Sequence, residues 1–125
     1  IVLDCDLRLP NDLNIFNKKQ RTIIFNEKKN EANDFIKYKK VNMKNEHTLQ
    51  YILKKCMDEN IQSLLVEGGA TLLNSFIQQN LWNEARVITN EKLYIENGFD
   101  APGVVGKYIE SERFFSDRID YFRND

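Results

Sequence analysis

Residues 64–74 read Leu64-Leu65-Val66-Glu67-Gly68-Gly69-Ala70-Thr71-Leu72-Leu73-Asn74, and they contain the most informative pattern of the chain. It continues an apolar run at residues 63–66 that shows no polar/apolar alternation, which favours a strand buried on both faces. Two glycines interrupt the run, and apolar residues at helical spacing follow them. The stretch therefore predicts a buried strand, a tight turn and a helix that begins near Ala70.

The double glycine before a helix is a geometry that suits a phosphate group. The first N–H groups of a helix have no partner within it, and the helix dipole favours an anion there. Gly68 and Gly69 lack the Cβ atoms that would hold a pyrophosphate away from the backbone, and the Thr71 hydroxyl can bind the same group. The pattern is neither a Walker loop nor the three-glycine dinucleotide motif. A tight turn without a ligand is the alternative, and spacing alone does not decide between the two.

Glu67 is the charged residue of this stretch. At the end of a buried strand its carboxylate would cost desolvation energy unless a partner bonds to it. A ligand hydroxyl or amino group would be such a partner, and we expect Glu67 at the mouth of a cleft. The structural alternative is a carboxylate that pins the strand end to a backbone N–H or a lysine.

Further elements are predicted on both sides of the stretch. Short apolar runs predict strands at residues 1–4, 21–26, 35–41 and 84–90. A loop rich in Gly and Pro covers residues 97–106, and residues 107–109 and 119–122 predict a terminal hairpin around Ser116 and Asp117. Strands and helices that alternate in this order predict an α/β layered sheet.

The clearest helix is predicted at residues 45–60. Its apolar residues recur at positions i, i+3, i+4, i+7 and i+8, and these are Leu49, Ile52, Leu53, Cys56 and Met57. Asn45 is the predicted N-cap. Cys56 lies on the apolar stripe, so we predict that it packs rather than reacts.

Composition excludes several classes of protein. The 125 residues fit one domain, with 42% hydrophobic and 30% charged residues and a net charge of −1. A chain without a basic excess is not expected to bind nucleic acid, and no apolar run approaches the roughly 20 residues of a membrane span. The two cysteines lack metal-ligand spacing, so we expect no metal site and two free thiols in a reducing cytoplasm.

Four segments, in order, resemble the C-terminal reductase domain of the bifunctional deaminase–reductases of riboflavin biosynthesis, the RibD family. Residues 64–87 (LLVEGGATLLNSFIQQNLWNEARV) resemble the family's Glu-Gly-Gly block, which is the most specific of the four. Residues 1–10 (IVLDCDLRLP) resemble its VLDxxLRLP strand and loop, and Ile15-Phe16 resemble the Leu-Phe that follows. Residues 98–103 (GFDAPG) resemble its GxDAP loop.

The resemblance implies a fold and an activity. The fold is α/β and dihydrofolate-reductase-like, with a mostly parallel central sheet flanked by helices and a C-terminal β-hairpin. Residues 1–125 would be the C-terminal portion of a single reductase domain whose N-terminal part is missing. The activity is the reduction of the ribose of 5-amino-6-(5-phosphoribosylamino)uracil to the ribityl form, with hydride from NADPH. The hydride belongs to the cofactor, so the task of the protein is orientation and electrostatics.

The resemblance also implies roles for individual residues. Glu67 contacts the substrate. The positions that contact NADPH are Cys5, after the first strand, and the helix start, namely Gly69, Ala70, Thr71, Leu72, Leu73, Asn74 and Ser75. No catalytic residue is assigned.

Parts of the family's pattern are absent from this chain. The SLDG-type strand and the segments after it, which supply most sugar and phosphate contacts in the family, are not found. The zinc ligands of the deaminase, a His and two Cys, are also absent. We therefore expect this chain to be part of a reductase and to carry no deaminase. We also expect a homodimer. Fusion of the parent protein to an upstream zinc deaminase domain is one arrangement that stays open.

Two other functions stay open on the sequence. One is a dihydrofolate-reductase-like reductase with a different substrate. The other is a non-catalytic binding or dimerisation module that uses exposed aromatic residues. Packing is the simpler role of these aromatic residues, which are Trp82, Tyr108, Phe114, Phe115, Tyr121 and Phe122.

Overall fold

The computed structural model describes residues 1–125. The chain folds as two compact units, Ile1–Gln62 and Ser63–Asp125, each with its own sheet and helix. The predicted α/β class is therefore confirmed. No helix of the chain has both the length and the apolar character needed to cross a membrane.

The first unit is built on a four-stranded, mostly parallel sheet. Its strands are β1 (Val2–Leu3), β2 (Thr22–Asn26), β3 (Glu31–Ala32) and β4 (Ile36–Lys40). They lie in the order β1-β2-β4-β3, and only β3 is antiparallel to its neighbour. The three strands predicted here are confirmed within one residue at each end, whereas β3 is too short to produce a hydrophobic pattern.

The core of this unit lies between β2 and the helix α1 (Thr48–Asp58). All five residues of β2 are buried, as is typical of a strand covered on both faces. Ile23 and Phe25 of β2 pack with Ile52 and Cys56 of α1, so the predicted stripe faces the sheet. Burial raises the pKa of the Cys56 thiol, which agrees with a packing role.

Two details predicted for α1 are wrong. Asn45 is not the N-cap, because α1 begins at Thr48 and His47 occupies the cap position. Asn45 instead accepts hydrogen bonds from the N–H groups of His47 and Thr48, in the turn before the helix. Met57 is 71% exposed, because it lies about 80° round the helix from Leu49, beyond the edge of the apolar stripe.

The second unit combines the helix α2 (Ala70–Gln78) with a three-stranded antiparallel sheet. The strands β5 (Glu84–Asn90), β6 (Lys107–Phe114) and β7 (Asp117–Arg123) lie in the order β5-β7-β6. β6 and β7 form the predicted C-terminal hairpin, although both strands are longer than predicted. The predicted helix start near Ala70 and the strand at residues 84–90 are confirmed.

The buried strand predicted at residues 63–66 is wrong. These residues form no strand, and none of them exchanges a backbone hydrogen bond within the chain. Leu65 is 81% exposed, and Leu64 is also exposed. A strand needs a neighbour that satisfies its backbone N–H and C=O groups. No strand of the chain pairs with residues 63–66. Their hydrophobic character is therefore not sufficient to make them a strand.

Both helices end in the same way, on an asparagine. Asn60 and Asn80 have left-handed φ values of 61° and 56°, a conformation that asparagine tolerates better than most residues. The residue after each, Ile61 or Leu81, donates its N–H to a carbonyl in the last turn of the helix. This is the Schellman arrangement, which satisfies carbonyls that a helix end leaves free.

Gly106 lies where three parts of the second unit approach one another. A Cβ at this position would lie 2.6 Å from the Arg123 carbonyl oxygen and 2.6 Å from the Trp82 ring. Asn124 also contacts this region, because its side-chain amide donates a hydrogen bond of 2.8 Å to the Trp82 carbonyl. The packing role predicted for Trp82 is therefore confirmed.

The aromatic residues of the hairpin fall into two groups. Tyr121 and Phe122 are half-buried, and Tyr108 meets Phe122 edge to face with ring centroids 5.9 Å apart. Phe114 and Phe115 are 64% and 92% exposed. Packing accounts for the first group but not for the second.

Candidate functional site

The start of α2 carries N–H groups that no atom of the chain uses. Gly69 is the N-cap, in an extended conformation, and its carbonyl accepts hydrogen bonds from the N–H groups of Leu72 and Leu73, at 3.0 and 3.2 Å. The N–H groups of Ala70 and Thr71 have no acceptor within the chain, and no side chain caps the helix. With the positive end of the helix dipole, these donors can bind an anion.

The two glycines in front of α2 have different surroundings. A Cβ at Gly69 would meet no atom within 4 Å, whereas a Cβ at Gly68 would lie 2.6 Å from Cδ2 of Leu72. Neither glycine has a positive φ, so each contributes space rather than an unusual backbone conformation. The open space at Gly69 lies next to the free N–H groups and leaves room for an anion.

The other residues predicted to contact the cofactor follow along α2. Thr71 is exposed, while Leu72, Leu73, Asn74 and Ser75 are half-buried. The Ser75 hydroxyl donates a hydrogen bond of 2.9 Å to the Thr71 carbonyl, so its proton is used within the helix. The backbone N–H groups without an acceptor are therefore in the first turn of α2.

Glu67 lies directly before the glycines, and its side chain is exposed. The prediction had placed it at the mouth of a cleft instead. The prediction assumed a buried strand at residues 63–66, and without that strand the carboxylate has no desolvation cost to offset. Glu67 forms no hydrogen bond or salt bridge within the chain. The alternative role, in which it pins the strand end, is therefore not observed, and the carboxylate is free to bind a ligand.

Cys5 belongs to the first unit, where it follows β1 at the carboxyl end of the parallel strands. Its thiol is exposed, and its carbonyl accepts a hydrogen bond of 2.9 Å from the N–H of Glu27. Open α/β sheets bind their ligands at the carboxyl ends of the strands. The position of Cys5 therefore suits a ligand contact.

Asp4 organises the loop next to Cys5, and sequence reasoning did not identify it as a site residue. Its two carboxylate oxygens accept hydrogen bonds from the N–H groups of Arg8 and Leu9, at 3.0 and 3.1 Å. Leu7 within the loop has a φ of 56°. The available signal is an aspartate directly after a strand, a residue type that readily bonds to nearby backbone N–H groups.

The carboxylate with the most strongly shifted pKa is not one of the predicted site residues. Lys37 and Lys39 of β4 donate hydrogen bonds to Glu59 and lower its pKa to about 2. Glu59 is the C-cap of α1, so these ion pairs join the end of the helix to the sheet. Structural ion-pair networks can shift pKa values as functional sites do, and this cluster is structural.

The comparisons with known proteins identify one family. Residues 1–94 match the family model described as the RibD C-terminal domain. A curated relative, the riboflavin biosynthesis protein RibD of Aquifex aeolicus, is 31% identical over 96 residues. That match covers 74% of this chain and 27% of the relative, so the chain spans about a quarter of the relative's length.

Solved structures show the same fold. A diaminohydroxyphosphoribosylaminopyrimidine deaminase/5-amino-6-(5-phosphoribosylamino)uracil reductase from Thermotoga maritima matches with a TM-score of 0.77 at 21% identity. RibD from Acinetobacter baumannii matches with a TM-score of 0.73 at 17% identity. Each match covers 98% of this chain and 36% of the other. The predicted dihydrofolate-reductase-like fold is confirmed.

Proposed function

Because the chain belongs to the RibD C-terminal domain family, we propose that it is the reductase part of a riboflavin-biosynthesis enzyme, with the start of α2 as its cofactor site. The observation that carries the proposal is the pair of free N–H groups at Ala70 and Thr71, beside the open space at Gly69. A helix start alone does not distinguish a ligand site from a plain turn. Family membership is the second observation, and it favours the ligand site.

The proposed substrate is 5-amino-6-(5-phosphoribosylamino)uracil, and the product is its ribitylamino form. The name of the Thermotoga maritima protein supports this substrate. NADPH would supply a hydride to C1 of the ring-opened sugar, an imine carbon still bonded to the pyrimidine's amino nitrogen, and a proton on that nitrogen would complete the ribitylamino group. The protein would hold the two molecules in line and exclude other reactions.

The chain's own residues would divide the binding between them. The free N–H groups of Ala70 and Thr71, with the Thr71 hydroxyl, would bind the pyrophosphate of NADPH. The rest of the segment from Gly69 to Ser75 would extend this contact, and Cys5 would be a further one. Glu67 would bind a sugar hydroxyl or the pyrimidine amino group, and its exposed carboxylate without a partner in the chain supports that role.

We further propose that residues 1–125 are the C-terminal portion of one reductase domain, and that the full-length protein is a cytoplasmic homodimer. The family match at residues 1–94 runs across the boundary of the two compact units, which supports one domain. The exposed Phe114 and Phe115 support a protein–protein contact at the hairpin. Fusion to an upstream zinc deaminase domain is supported by the two activities in the name of the Thermotoga maritima protein.

Titration of the full-length protein with NADPH, followed by cofactor fluorescence, tests the cofactor site. Gly69→Val should raise the dissociation constant by about tenfold or more, because the new side chain would fill the space proposed for the phosphate. Circular dichroism of the same samples establishes that the variant is folded. Unchanged affinity in a folded Gly69→Val variant would contradict the proposed cradle.

Mass spectrometry of the reaction mixture tests the substrate. Conversion of the ribosylamino compound to a product two hydrogen atoms heavier is the expected result. NADPH binding without conversion would favour a reductase with another substrate. Failure of the full-length protein to bind NADPH at all would favour the non-catalytic binding or dimerisation module.

A further inference from the structure

The two glycines before α2 remove side chains from two different places. Beside Gly69 there is no atom within 4 Å of the Cβ position, so no contact within the chain requires a glycine there. Beside Gly68 the space is already filled by the chain itself. A Cβ there would lie 2.6 Å from Cδ2, 3.0 Å from Cβ and 3.2 Å from Cγ of Leu72.

Leu72 lies in the first turn of α2, and its backbone holds that turn in shape. Its N–H donates a hydrogen bond of 3.0 Å to the Gly69 carbonyl. A side chain at position 68 must displace Leu72, because contacts below 3.0 Å, such as the one of 2.6 Å to Cδ2, do not occur in relaxed packing. Cγ and Cβ of Leu72 are also within 3.2 Å, so we expect the displacement to involve the whole residue and to move the first turn, which carries the free N–H groups of Ala70 and Thr71.

From this contact we infer that Gly68 is a positioning residue of the cofactor site, which acts through Leu72 and makes no contact with the ligand. Gly68 lets the Leu72 side chain close against the loop, and this contact fixes the direction of the free N–H groups. Gly69 has the other role, since it leaves room for the pyrophosphate itself. The inference rests on the proposed function. It assigns different roles at the cofactor site to two glycines that the sequence motif does not distinguish.

A double-mutant cycle in the full-length protein tests the division. The variants are Gly68→Ala, Leu72→Ala and the two combined, and the measured quantity is the dissociation constant of NADPH. Gly68→Ala should weaken binding by about tenfold in the natural background, but by less than about twofold in the Leu72→Ala background. There Cδ2 and Cγ are removed, and the contact that remains, 3.0 Å to Cβ, needs a shift of only a few tenths of an ångström. Gly69→Ala is the matched control, and it should weaken binding equally in both backgrounds.

Thermal unfolding of every variant separates a positioning role from a general effect on stability. If the role of Gly68 is purely structural, Gly68→Ala changes the melting temperature, but its effect on NADPH affinity does not depend on Leu72. An equal loss of affinity from Gly68→Ala in both backgrounds, or no loss in either, would overturn the inference. If Gly68→Ala alone does not fold, the NADPH affinity of the double variant is compared with that of Leu72→Ala. Equal affinity supports the inference, and weaker binding by the double variant overturns it. A natural protein that binds no NADPH would instead refute the proposed function.

Discussion

Replacement of Glu67 by glutamine keeps the size of the side chain and removes its charge. If Glu67 orients the substrate, kcat/KM should fall about 10- to 1000-fold, or ~1.4–4 kcal/mol, with little change in NADPH affinity. The melting temperature should not change, because the carboxylate has no partner within the chain. Steady-state kinetics and thermal unfolding on the same variant in the full-length protein measure both effects.

Glu96→Gln is the control for this variant. Glu96 is also exposed, and it lies in the loop between β5 and β6. Its replacement should leave kcat/KM unchanged. A Glu67→Gln variant with lower thermal stability and full activity would give Glu67 a structural role instead.

Single residues show where sequence reasoning works and where it stops. The chemistry of Glu67 and of the glycine pair follows from residue type and spacing. Their surroundings do not, because exposure depends on which distant segments pair and pack. Gly68 and Gly69 are the same residue type, and it is the position of Leu72 that distinguishes their surroundings. The hydrogen bonds of Asp4 likewise appear only when the loop to Leu9 is closed.

Among the structural elements, the β6 strand depends on a glycine at its entry. Gly106→Ala should lower the free energy of unfolding by about 1–3 kcal/mol, because the new methyl group would meet the Arg123 carbonyl and the Trp82 ring. Gly103→Ala is the matched control in the same loop, since its Cβ would meet no atom within 4 Å. Urea denaturation of both variants measures the difference, and equal stability of the two would refute this account of the packing.

The end of α1 depends on the charge of Glu59. Its pKa of about 2 in the folded chain lies below its ordinary value of 4.5, because Lys37 and Lys39 stabilise the charged form. The stabilisation is therefore complete above about pH 4.5 and is lost as the pH falls from there through about 2. Glu59→Gln should cost about 1 kcal/mol or less at neutral pH, since the lysines are partly exposed.

Urea denaturation at a series of pH values checks this sign. The difference in stability between the natural chain and Glu59→Gln should shrink as the pH falls below 4.5 and vanish below about 2. Lys39→Gln should reproduce part of the loss at neutral pH, because it removes one of the two partners. A difference that stays constant with pH would contradict the ion-pair account.

The elements that sequence predicted best are those whose pattern is local. The spacing of apolar residues in α1 and α2 predicts a helix, whose backbone hydrogen bonds form within the same segment. Residues 63–66 have an equally clear pattern, but a strand is completed by another strand, and the pattern contains no information on whether one is present. The exact ends of α1 were missed for a similar reason, because Asn45 has the chemistry of a cap but forms the preceding turn instead.

At the scale of the whole molecule, we expect residues 1–125 alone to be inactive as a reductase. The chain spans 27% of its curated relative and 36% of each solved structure. The resemblance implies that upstream segments supply most contacts to the sugar and phosphate. NADPH oxidation, followed by absorbance with the ribosylaminopyrimidine present, checks this against the full-length protein. Steady oxidation by residues 1–125 would contradict it.

The order of strands could not be derived from the sequence pattern. Pairings such as that between β5 and β7 join residues far apart in the chain, and hydrophobic periodicity does not specify partners. The fold prediction at this scale came from the resemblance, and the solved structures confirm it. Local patterns therefore predicted the elements, and family likeness predicted their arrangement.

The asparagines that end both helices connect the fold to chemical ageing. Asparagine side chains slowly lose ammonia in water, and the amide then becomes a carboxylate. At Asn60 and Asn80 the new negative charge would lie at the negative end of a helix dipole, where it is unfavourable. Deamidation at these two positions would therefore loosen the helix ends as well as change the surface charge.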